Sequence, residues 1–358
     1  MTTPARRDDL VGVMPYGAPQ LDVPIRLNVN ENPFAPSADL INAIREVAGR
    51  TAQHLNRYPD REARDLRVDL ASYIRAESHG DVSWENVWVA NGSNEVMHHL
   101  LQAFGGPGRL VVTFAPTYSM YEEYCRETFT NYASVPRTSD FDIDRTSIDA
   151  ALALKPDIVI ICSPNNPTGT VLQPDLLEYL VTSFQGLIIV DEAYGEFRAS
   201  GTDSAIKRYA GTPHVVITRT MSKAFSCAGL RVGYAIAHPD VVEACRVVRL
   251  PYHISAMTQE IARAAIGFSD ELLGHVAVIR DEREALAAWL AQHGFTVAPS
   301  GANFLLFGSF ADRHAIWQGL LDRGVLIRET GPEGMLRVSI GTPLENQAFR
   351  DALLRTTQ

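Results

Sequence analysis

Six short apolar runs alternate with longer amphipathic stretches between residues 87 and 236, and this alternation constrains the fold more than any other feature of the chain. Runs of four or five such residues are typical of strands that are buried on both faces. The predicted strands are 87–90, 110–114, 158–162, 187–190, 215–218 and 232–236, and helices are predicted at 94–104, 118–129, 175–183 and 204–209. We therefore predict an α/β fold with a largely parallel sheet, in which ligands bind beyond the carboxyl ends of the strands.

The pattern changes at about residue 250. A long helical stretch over 258–292 precedes strand-like pieces at 304–307, 325–327 and 336–340, which predict a smaller α+β domain. The first forty residues are rich in proline and predict an irregular arm that packs across another surface, such as a second subunit. The predicted division is an arm with part of the small domain at 1–42, a large domain at 43–248 and a small C-terminal domain at 249–358.

The composition excludes several classes of function. Of the 358 residues 46% are hydrophobic, and the formal net charge of −10 opposes nucleic acid or an anionic membrane as the main partner. The first nine residues lack the apolar stretch of a signal peptide, and no run approaches membrane-spanning length. The four cysteines are widely spaced without a Cys-x-x-Cys motif, so we expect a cytoplasmic protein. No His-Glu-x-x-His motif is present, and we expect no metal.

Lys223 follows the fifth apolar run and is the leading candidate for chemistry. A lysine captures an aldehyde as the free amine, and partial burial together with a nearby cation such as Arg231 lowers its pKa toward neutrality. Thr220 and Ser222 flank the lysine at alternate positions, where their hydroxyls suit phosphate oxygens, and Arg231 adds a forked positive charge. On these residues alone, a solvated lysine at the mouth of a loop stays open as an alternative.

Polar and aromatic residues also follow the first two strands. Ser93 and Asn94 come after Gly92 at a helix start, where free amide groups suit a phosphate. Tyr118 lies at the next strand-to-helix junction, where its ring could stack on a flat cofactor. Simple capping of the helix by Ser93 or Asn94, and a core tyrosine at 118, are the competing interpretations.

Three further side chains follow the third and fourth strands. Asn166 lies between two prolines in the loop 163–169, which aims an amide toward a cofactor ring oxygen. Asp191 ends a buried strand, where a carboxylate can pair with a pyridinium nitrogen, and Tyr194 is within reach of the ring oxygen. A magnesium-binding Walker B acid is the alternative for Asp191, but the chain has no Gly-x-x-x-x-Gly-Lys-[Ser/Thr] motif.

In this order the junctions resemble a fold-type I aminotransferase of the class I and II group, over almost the whole chain. The resemblance implies pyridoxal 5'-phosphate held as a Schiff base on Lys223, with Asp191 at the ring nitrogen and Tyr194 at the ring oxygen as further catalytic residues. The remaining cofactor-binding residues that it implies are Ser93, Asn94, Tyr118, Asn166, Thr220, Ser222 and Arg231. Arg337 matches the family's arginine for the substrate anion.

The segments 27–33, 56–60, 250–255 and 341–346 are similar to those of histidinol-phosphate aminotransferases. That similarity implies a homodimer in which Tyr58 reaches the cofactor phosphate of the neighbouring subunit. The substrate-binding residues that it implies are Tyr16, Asn30, Arg328 and Arg337, with the two arginines on a substrate phosphate. The expected reaction converts L-histidinol phosphate and 2-oxoglutarate to imidazole-acetol phosphate and L-glutamate in histidine biosynthesis.

Two alternatives stay open at this point. Aromatic amino-acid aminotransferases share most of these cofactor motifs, so phenylalanine or tyrosine is the competing amino donor. Arg328 could instead be a surface ion-pair partner.

Overall fold

The computed structural model describes residues 4–357. The first three residues of the predicted arm and the last residue of the predicted C-terminal domain lie outside that range. None of the helices between residues 4 and 357 is long and apolar enough to cross a membrane. In the same range no group of three or more His, Cys, Asp or Glu side chains is arranged to hold a metal ion.

A seven-stranded sheet forms the centre of the fold. After the short β1 (Ile25–Arg26), which lies elsewhere, its strands are β2 (Val87–Ala90), β3 (Leu110–Ala115), β4 (Asn131–Pro136), β5 (Ile158–Cys162), β6 (Leu187–Asp191), β7 (Val215–Thr220) and β8 (Gly233–Ile236). Their spatial order is β2-β8-β7-β6-β5-β3-β4. Only β8 runs antiparallel to its neighbours in this sheet. All six predicted strands and the largely parallel sheet are therefore confirmed.

Helices cover both faces of this sheet. Those before residue 250 are α1 (Ala38–Ala52), α2 (Arg64–Ser78), α3 (Ser93–Phe104), α4 (Met120–Glu127), α5 (Arg145–Ala153), α6 (Pro174–Ser183), α7 (Ala205–Tyr209) and α8 (Pro239–Val248). Strand side chains alternate between faces, so Val112 and Ile188 pack in one apolar cluster with α2, α5, α6 and α7. Val111 and Ile189 pack in the other, with α3, α4 and α8.

The four predicted helices in this region are confirmed as α3, α4, α6 and α7, although α4 begins at Met120, two residues after Tyr118. Sequence reasoning missed α1, α2, α5, α8 and β4. The strand β4 lies at the edge of the sheet, and Val135 is its one buried residue. It therefore lacks the apolar run by which the other strands were recognised.

A second, smaller group of elements follows residue 250. Its members are α9 (Ala256–Ile266), α10 (Ser269–Gln292), β9 (Thr296–Val297), β10 (Phe304–Gly308), α11 (Arg313–Leu321), β11 (Val325–Leu326), β12 (Met335–Ser339) and α12 (Pro343–Thr357). β10 pairs antiparallel with β9 and β12, and β11 pairs in parallel with β1. The three predicted strand pieces are confirmed.

The single helical stretch predicted over 258–292 was wrong, because the chain breaks between α9 and α10 at Gly267 and Phe268. Glycine weakens a helix interior because it has the most backbone freedom to lose. The two halves also have different partners: α9 packs on α1 and α2, whereas α10 packs on β9, β10 and the 3-10 turn Gly195–Phe197. The break at Gly267 and Phe268 thus separates two helices that pack on different partners.

The N-terminal segment is irregular from Pro4 to Ser37, apart from a 3-10 turn at Asp8–Leu10 and β1. Through β1 it joins the C-terminal elements, since β1 pairs with β11. The predicted domain boundary at 42/43 falls inside α1, and the one at 248/249 falls at the end of α8. The division into domains remains a prediction.

Candidate active site

A cavity of about 1610 Å³ opens at the carboxyl ends of β3, β5, β6 and β7, as expected for a sheet of this type. It exceeds the roughly 300–1000 Å³ of a site for one small ligand, so it has room for a cofactor and a substrate together. All predicted site residues except Tyr58 line it: Tyr16, Asn30, Ser93, Asn94, Tyr118, Asn166, Asp191, Tyr194, Thr220, Ser222, Lys223, Arg231, Arg328 and Arg337.

Lys223 follows β7, and its amine donates a hydrogen bond of 2.9 Å to the Val29 carbonyl. Burial lowers the pKa of this amine to about 7, and the positive charges of Arg337 and Arg231 act in the same direction, against Glu31. Burial and the two nearby arginines thus explain why the pKa of this lysine lies near neutrality. Near pH 7 the amine is present in both its neutral and its charged form.

Asp191 ends β6 and is buried. One carboxylate oxygen accepts from the Tyr121 hydroxyl at 2.7 Å, and the other accepts from the Thr218 hydroxyl at 3.0 Å and the Ala193 N–H at 3.1 Å. Burial raises the pKa of this carboxyl, while the bonds from Tyr121 and Thr218 hold it down. Three donors thus aim at a carboxylate that forms no ion pair within residues 4–357.

Sequence reasoning missed Tyr121 and Thr218 as partners of Asp191. A signal for each was present. Thr218 interrupts the apolar run at 215–218, and Tyr121 follows Tyr118 at helical spacing. The two tyrosine rings lie edge to face at 5.6 Å, with Tyr118 on the cavity wall and Tyr121 fully buried behind it.

A positively charged cradle lies at the start of α3, next to Lys223. Arg231 donates to the Ser222 hydroxyl at 3.1 Å, and the Thr220 and Ser222 hydroxyls are 3.0 Å apart. Gly92 precedes α3 with a φ of +84°, and a Cβ there would lie 2.4 Å from an Arg231 guanidinium nitrogen. Since the first N–H groups of α3 have no partner within the helix, the helix start, the hydroxyls and the guanidinium together are chemically suited to a dianion.

Asn166 links Tyr194 to Arg337 by hydrogen bonds in another part of the cavity wall. The Tyr194 hydroxyl accepts from Asn30 Nδ2 at 3.0 Å and Asn166 Nδ2 at 3.5 Å. Arg337, on β12, donates to Asn166 Oδ1 at 2.5 Å and to the Asn28 carbonyl at 2.9 Å. Its Nε is buried and has no hydrogen-bond partner in the described part of the chain.

Arg328 lies beside Arg337, because the backbones of the two residues exchange N–H···O hydrogen bonds of 3.0 Å in both directions. The Arg328 side chain donates to the Gly17 carbonyl at 3.4 Å, next to Tyr16 in the N-terminal segment. Burial and then Tyr16 raise the pKa of the Tyr118 hydroxyl, so Tyr16 lies close to Tyr118 across the cavity. The surface ion pair considered for Arg328 is absent from residues 4–357.

Tyr58 lies outside this cavity. It is 80% exposed, and its ring stacks on Tyr252 at 4.4 Å. Tyr58 is not among the described residues that line the cavity of its own chain, and its part in the site of a neighbouring subunit remains a prediction.

Comparison with known proteins identifies the family of the chain. The family model described as aminotransferase class I and II matches residues 22–353. The histidinol-phosphate aminotransferase of Thermobifida fusca strain YX is 54% identical over 352 residues, which are 98% of this chain and 95% of that protein. Its counterpart from Streptomyces avermitilis is 52% identical and covers 97% of this chain and 95% of its own length.

Solved structures show the same fold. A putative histidinol-phosphate aminotransferase from Erwinia carotovora atroseptica has a TM-score of 0.85 at 28% identity, covering 96% of this chain and 99% of that one. The enzyme of Sinorhizobium meliloti in complex with pyridoxal-5'-phosphate has a TM-score of 0.86 at 23% identity, covering 99% and 98%. This chain belongs to the class I and II aminotransferases.

Proposed function

We propose that the chain transfers the amino group of L-histidinol phosphate to 2-oxoglutarate with pyridoxal phosphate as cofactor, giving imidazole-acetol phosphate and L-glutamate in histidine biosynthesis. The observation that carries the proposal is the pair of neighbouring arginines, Arg328 and Arg337, in the same cavity as Lys223. The names of relatives at 52–54% identity support it.

The arginine pair is suited to a phosphate. Every hydrogen bond donated by the two side chains goes to a carbonyl oxygen, of Gly17, Asn28 or Asn166, so neither positive charge is compensated within residues 4–357. Burial lowers the pKa of Arg337, and the charge of Arg328 lowers it further. A phosphate is nearly dianionic at neutral pH, so it compensates two adjacent guanidinium groups better than one carboxylate does.

The residues on the opposite side of the cavity fit pyridoxal phosphate. Arg231, Ser222 and the start of α3 would hold its phosphate, since they form the cradle that Gly92 leaves open. Asp191 would face the ring nitrogen. A buried carboxylate held by three donors, with no cation of the described residues beside it, is satisfied by a protonated ring nitrogen.

When bound, pyridoxal phosphate supplies an aldehyde for a lysine amine and a ring that withdraws electrons from the α-carbon of the substrate. Lys223 contributes an amine whose pKa burial lowers to about 7, so its neutral form is available near neutral pH. Such an amine can take a proton from carbon and return it. Asp191 would hold a negative charge beside the ring nitrogen, and Tyr194 would offer its hydroxyl to the ring oxygen.

We also propose that the chain acts as a cytoplasmic homodimer. Tyr58 and Tyr252 stack on each other at the surface, and Val247 and Leu250 are more than 70% exposed close by in sequence. An exposed group of large apolar side chains favours a protein partner, and a second copy of the chain would bring a Tyr58 to each cavity. The four cysteines are buried and unpaired, which supports a reducing compartment.

The test is the specificity constant of one preparation for several amino donors. With 2-oxoglutarate as acceptor, kcat/KM for histidinol phosphate should exceed that for phenylalanine and for tyrosine by two orders of magnitude or more. L-Histidinol, which lacks only the phosphate, is the matched control and should be as poor as the aromatic amino acids. If phenylalanine or tyrosine is the best donor, the chain is an aromatic aminotransferase.

A further inference from the structure

The Tyr194 hydroxyl has a proton that no described residue accepts. Its oxygen receives hydrogen bonds from Asn30 Nδ2 at 3.0 Å and Asn166 Nδ2 at 3.5 Å, and amide nitrogens can only donate. Within residues 4–357 the hydroxyl donates to nothing, and Tyr194 lines the cavity. Its O–H is therefore directed at an acceptor bound there, provided that both amides keep this orientation.

Ser339 fixes the orientation of the Asn30 amide. The backbone N–H of Asn30 donates to Ser339 Oγ at 2.9 Å, so that oxygen is an acceptor, and its own proton is free to donate to Asn30 Oδ1, also at 2.9 Å. With Oδ1 held at Ser339, Nδ2 has to face Tyr194. Asn30 is buried at a φ of 57°, a left-handed conformation that asparagine tolerates, and Asn303 donates to its carbonyl at 3.0 Å.

Arg337 fixes the other amide in the same way. It donates to Asn166 Oδ1, which leaves Asn166 Nδ2 facing Tyr194. Arg337 and Ser339 are two residues apart on β12, so their side chains lie on the same face of that strand. One strand thus controls both amides that surround the phenol.

We propose that Ser339 is a positioning residue of the aminotransferase reaction, which acts through Asn30 to direct the Tyr194 hydroxyl at the cofactor. The inference rests on the proposed function, since the acceptor is taken to be the ring oxygen of pyridoxal phosphate. Ser339 is 3% exposed and does not line the cavity, so it acts without touching the cofactor or the substrate. Ser339 was not among the site residues predicted from the sequence.

The hydrogen bonds from Ser339 to Asn30 and from Asn30 to Tyr194 have a measurable consequence. A proton donated to the ring oxygen favours the more negatively charged form of the bound cofactor. The pH midpoint of the visible absorbance is consequently lower when the donor is well oriented. The pKa of Tyr194 is consistent with this role: burial raises it to about 12, while Arg337 and the Asn30 hydrogen bond act against the rise.

The experiment is a pH titration of the visible absorbance of the holoenzyme. Ser339→Ala should raise the midpoint by about 0.5–1 pH unit, the size expected when one hydrogen bond is weakened. Ser339→Thr retains the hydroxyl and should restore the native midpoint. Thr113→Val is the matched control: it removes a fully buried hydroxyl of β3, whose bond to Tyr132 lies away from the cavity, and should leave the midpoint unchanged.

A double-mutant comparison distinguishes an effect of Ser339 through Tyr194 from a general disturbance of the fold. In a Tyr194→Phe background, Ser339→Ala should move the midpoint no further. Asn30→Gly removes the same amide without straining the left-handed backbone, and it carries the test if Ser339→Ala does not fold. An unmoved midpoint in either single variant, or a shift that persists in the Tyr194→Phe background, would overturn the inference. A native protein without a visible band would overturn the cofactor proposal, and this inference with it.

Discussion

The Lys223 amine, whose pKa is lowered to about 7, changes charge within the working range of a biosynthetic enzyme. Capture of the cofactor aldehyde requires the neutral amine, which forms as the pH rises through that pKa. For protein freed of cofactor, the rate of cofactor capture should rise about tenfold from pH 6 to pH 8 and then level off. Stopped-flow absorbance measures this rate, and a rate still climbing tenfold per unit at pH 9 would indicate an ordinary lysine.

The chain has only three lysines, Lys155, Lys207 and Lys223, which makes the site of attachment easy to map. Borohydride reduction followed by peptide mass analysis should mark Lys223 alone. Lys207→Ala is the control, because Lys207 is exposed and pairs with Asp203. Label on either of the other lysines would contradict the assignment.

Tyr121 and Tyr124 offer a matched pair of variants for the environment of Asp191. Both are buried on α4, but the Tyr121 hydroxyl donates to Asp191, whereas the Tyr124 hydroxyl has no partner within residues 4–357. Tyr121→Phe removes a donor and raises the pKa of Asp191 further, so kcat should fall about tenfold, as for one hydrogen bond to a charged group. Tyr124→Phe should leave kcat within about twofold; equal losses in both variants would show that Tyr121 acts through packing.

At the scale of single elements, the start of α3 decides how well the cofactor phosphate is held. Gly92→Ala places a Cβ against Arg231, and Gly92 and Gly108 share a φ of +84°. The Kd for pyridoxal phosphate should rise tenfold or more in Gly92→Ala, as measured by fluorescence titration. Gly108→Ala carries the same backbone strain with nothing within 4 Å, so it should lose about 1 kcal/mol of stability and keep the native Kd. A normal Kd in Gly92→Ala would remove the start of α3 from the phosphate site.

The apolar runs made most of the large sheet predictable, because a strand buried on both faces has a distinctive composition. The edge strand β4 was not predicted, because Val135 is its one buried residue and the strand therefore has no apolar run. The break at Gly267 was not predicted for a different reason. Residues on both sides of it favour helix, and the break is explained by the separate packing partners of α9 and α10, which the sequence does not show.

The cavity residues at strand ends were predictable for a topological reason: parallel strands bring their carboxyl ends to one edge. The helical spacing from Tyr118 indicated Tyr121 as a neighbour of the site but not its bond to Asp191, and no pattern indicated Ser339. Both roles depend on hydrogen bonds of 2.7–2.9 Å between residues far apart in the sequence. The predicted role of Tyr58 is not tested by the structure of one chain, because its predicted contact involves a second copy of the chain.

At the scale of the whole molecule, shared active sites would make the dimer necessary for activity. Lys223→Ala and Tyr58→Phe chains should each be poor enzymes, and mixing them should restore up to about a quarter of the native activity. In a mixed dimer, one site receives Lys223 from one chain and Tyr58 from the other, and is complete. Sedimentation of each variant controls for assembly. No recovery on mixing dimeric variants would show that Tyr58 serves its own chain or none.

The cavity joins the two parts of the molecule, since it is lined by the strand-end residues and by arginines contributed by β12 and the segment before it. We propose above that this arginine pair recognises a substrate phosphate. Arg328 tests that claim best, because Arg337 is expected to meet a carboxylate as well as a phosphate. Arg323→Ala is the control: Arg323 is exposed and lies five residues earlier, and within residues 4–357 it donates only to the Gly319 and Arg355 carbonyls.

The decisive measurement is the amino-donor half-reaction, followed at the cofactor absorbance without 2-oxoglutarate, whose own carboxylates would meet the same arginines. Arg328→Ala should lower the specificity constant for histidinol phosphate by about tenfold or more, the effect of about 1.5 kcal/mol expected when a half-buried arginine no longer donates to a charged group. The constant for phenylalanine should change by less than about threefold, and Arg323→Ala should change neither. Equal losses for both donors in Arg328→Ala would contradict phosphate recognition by the pair.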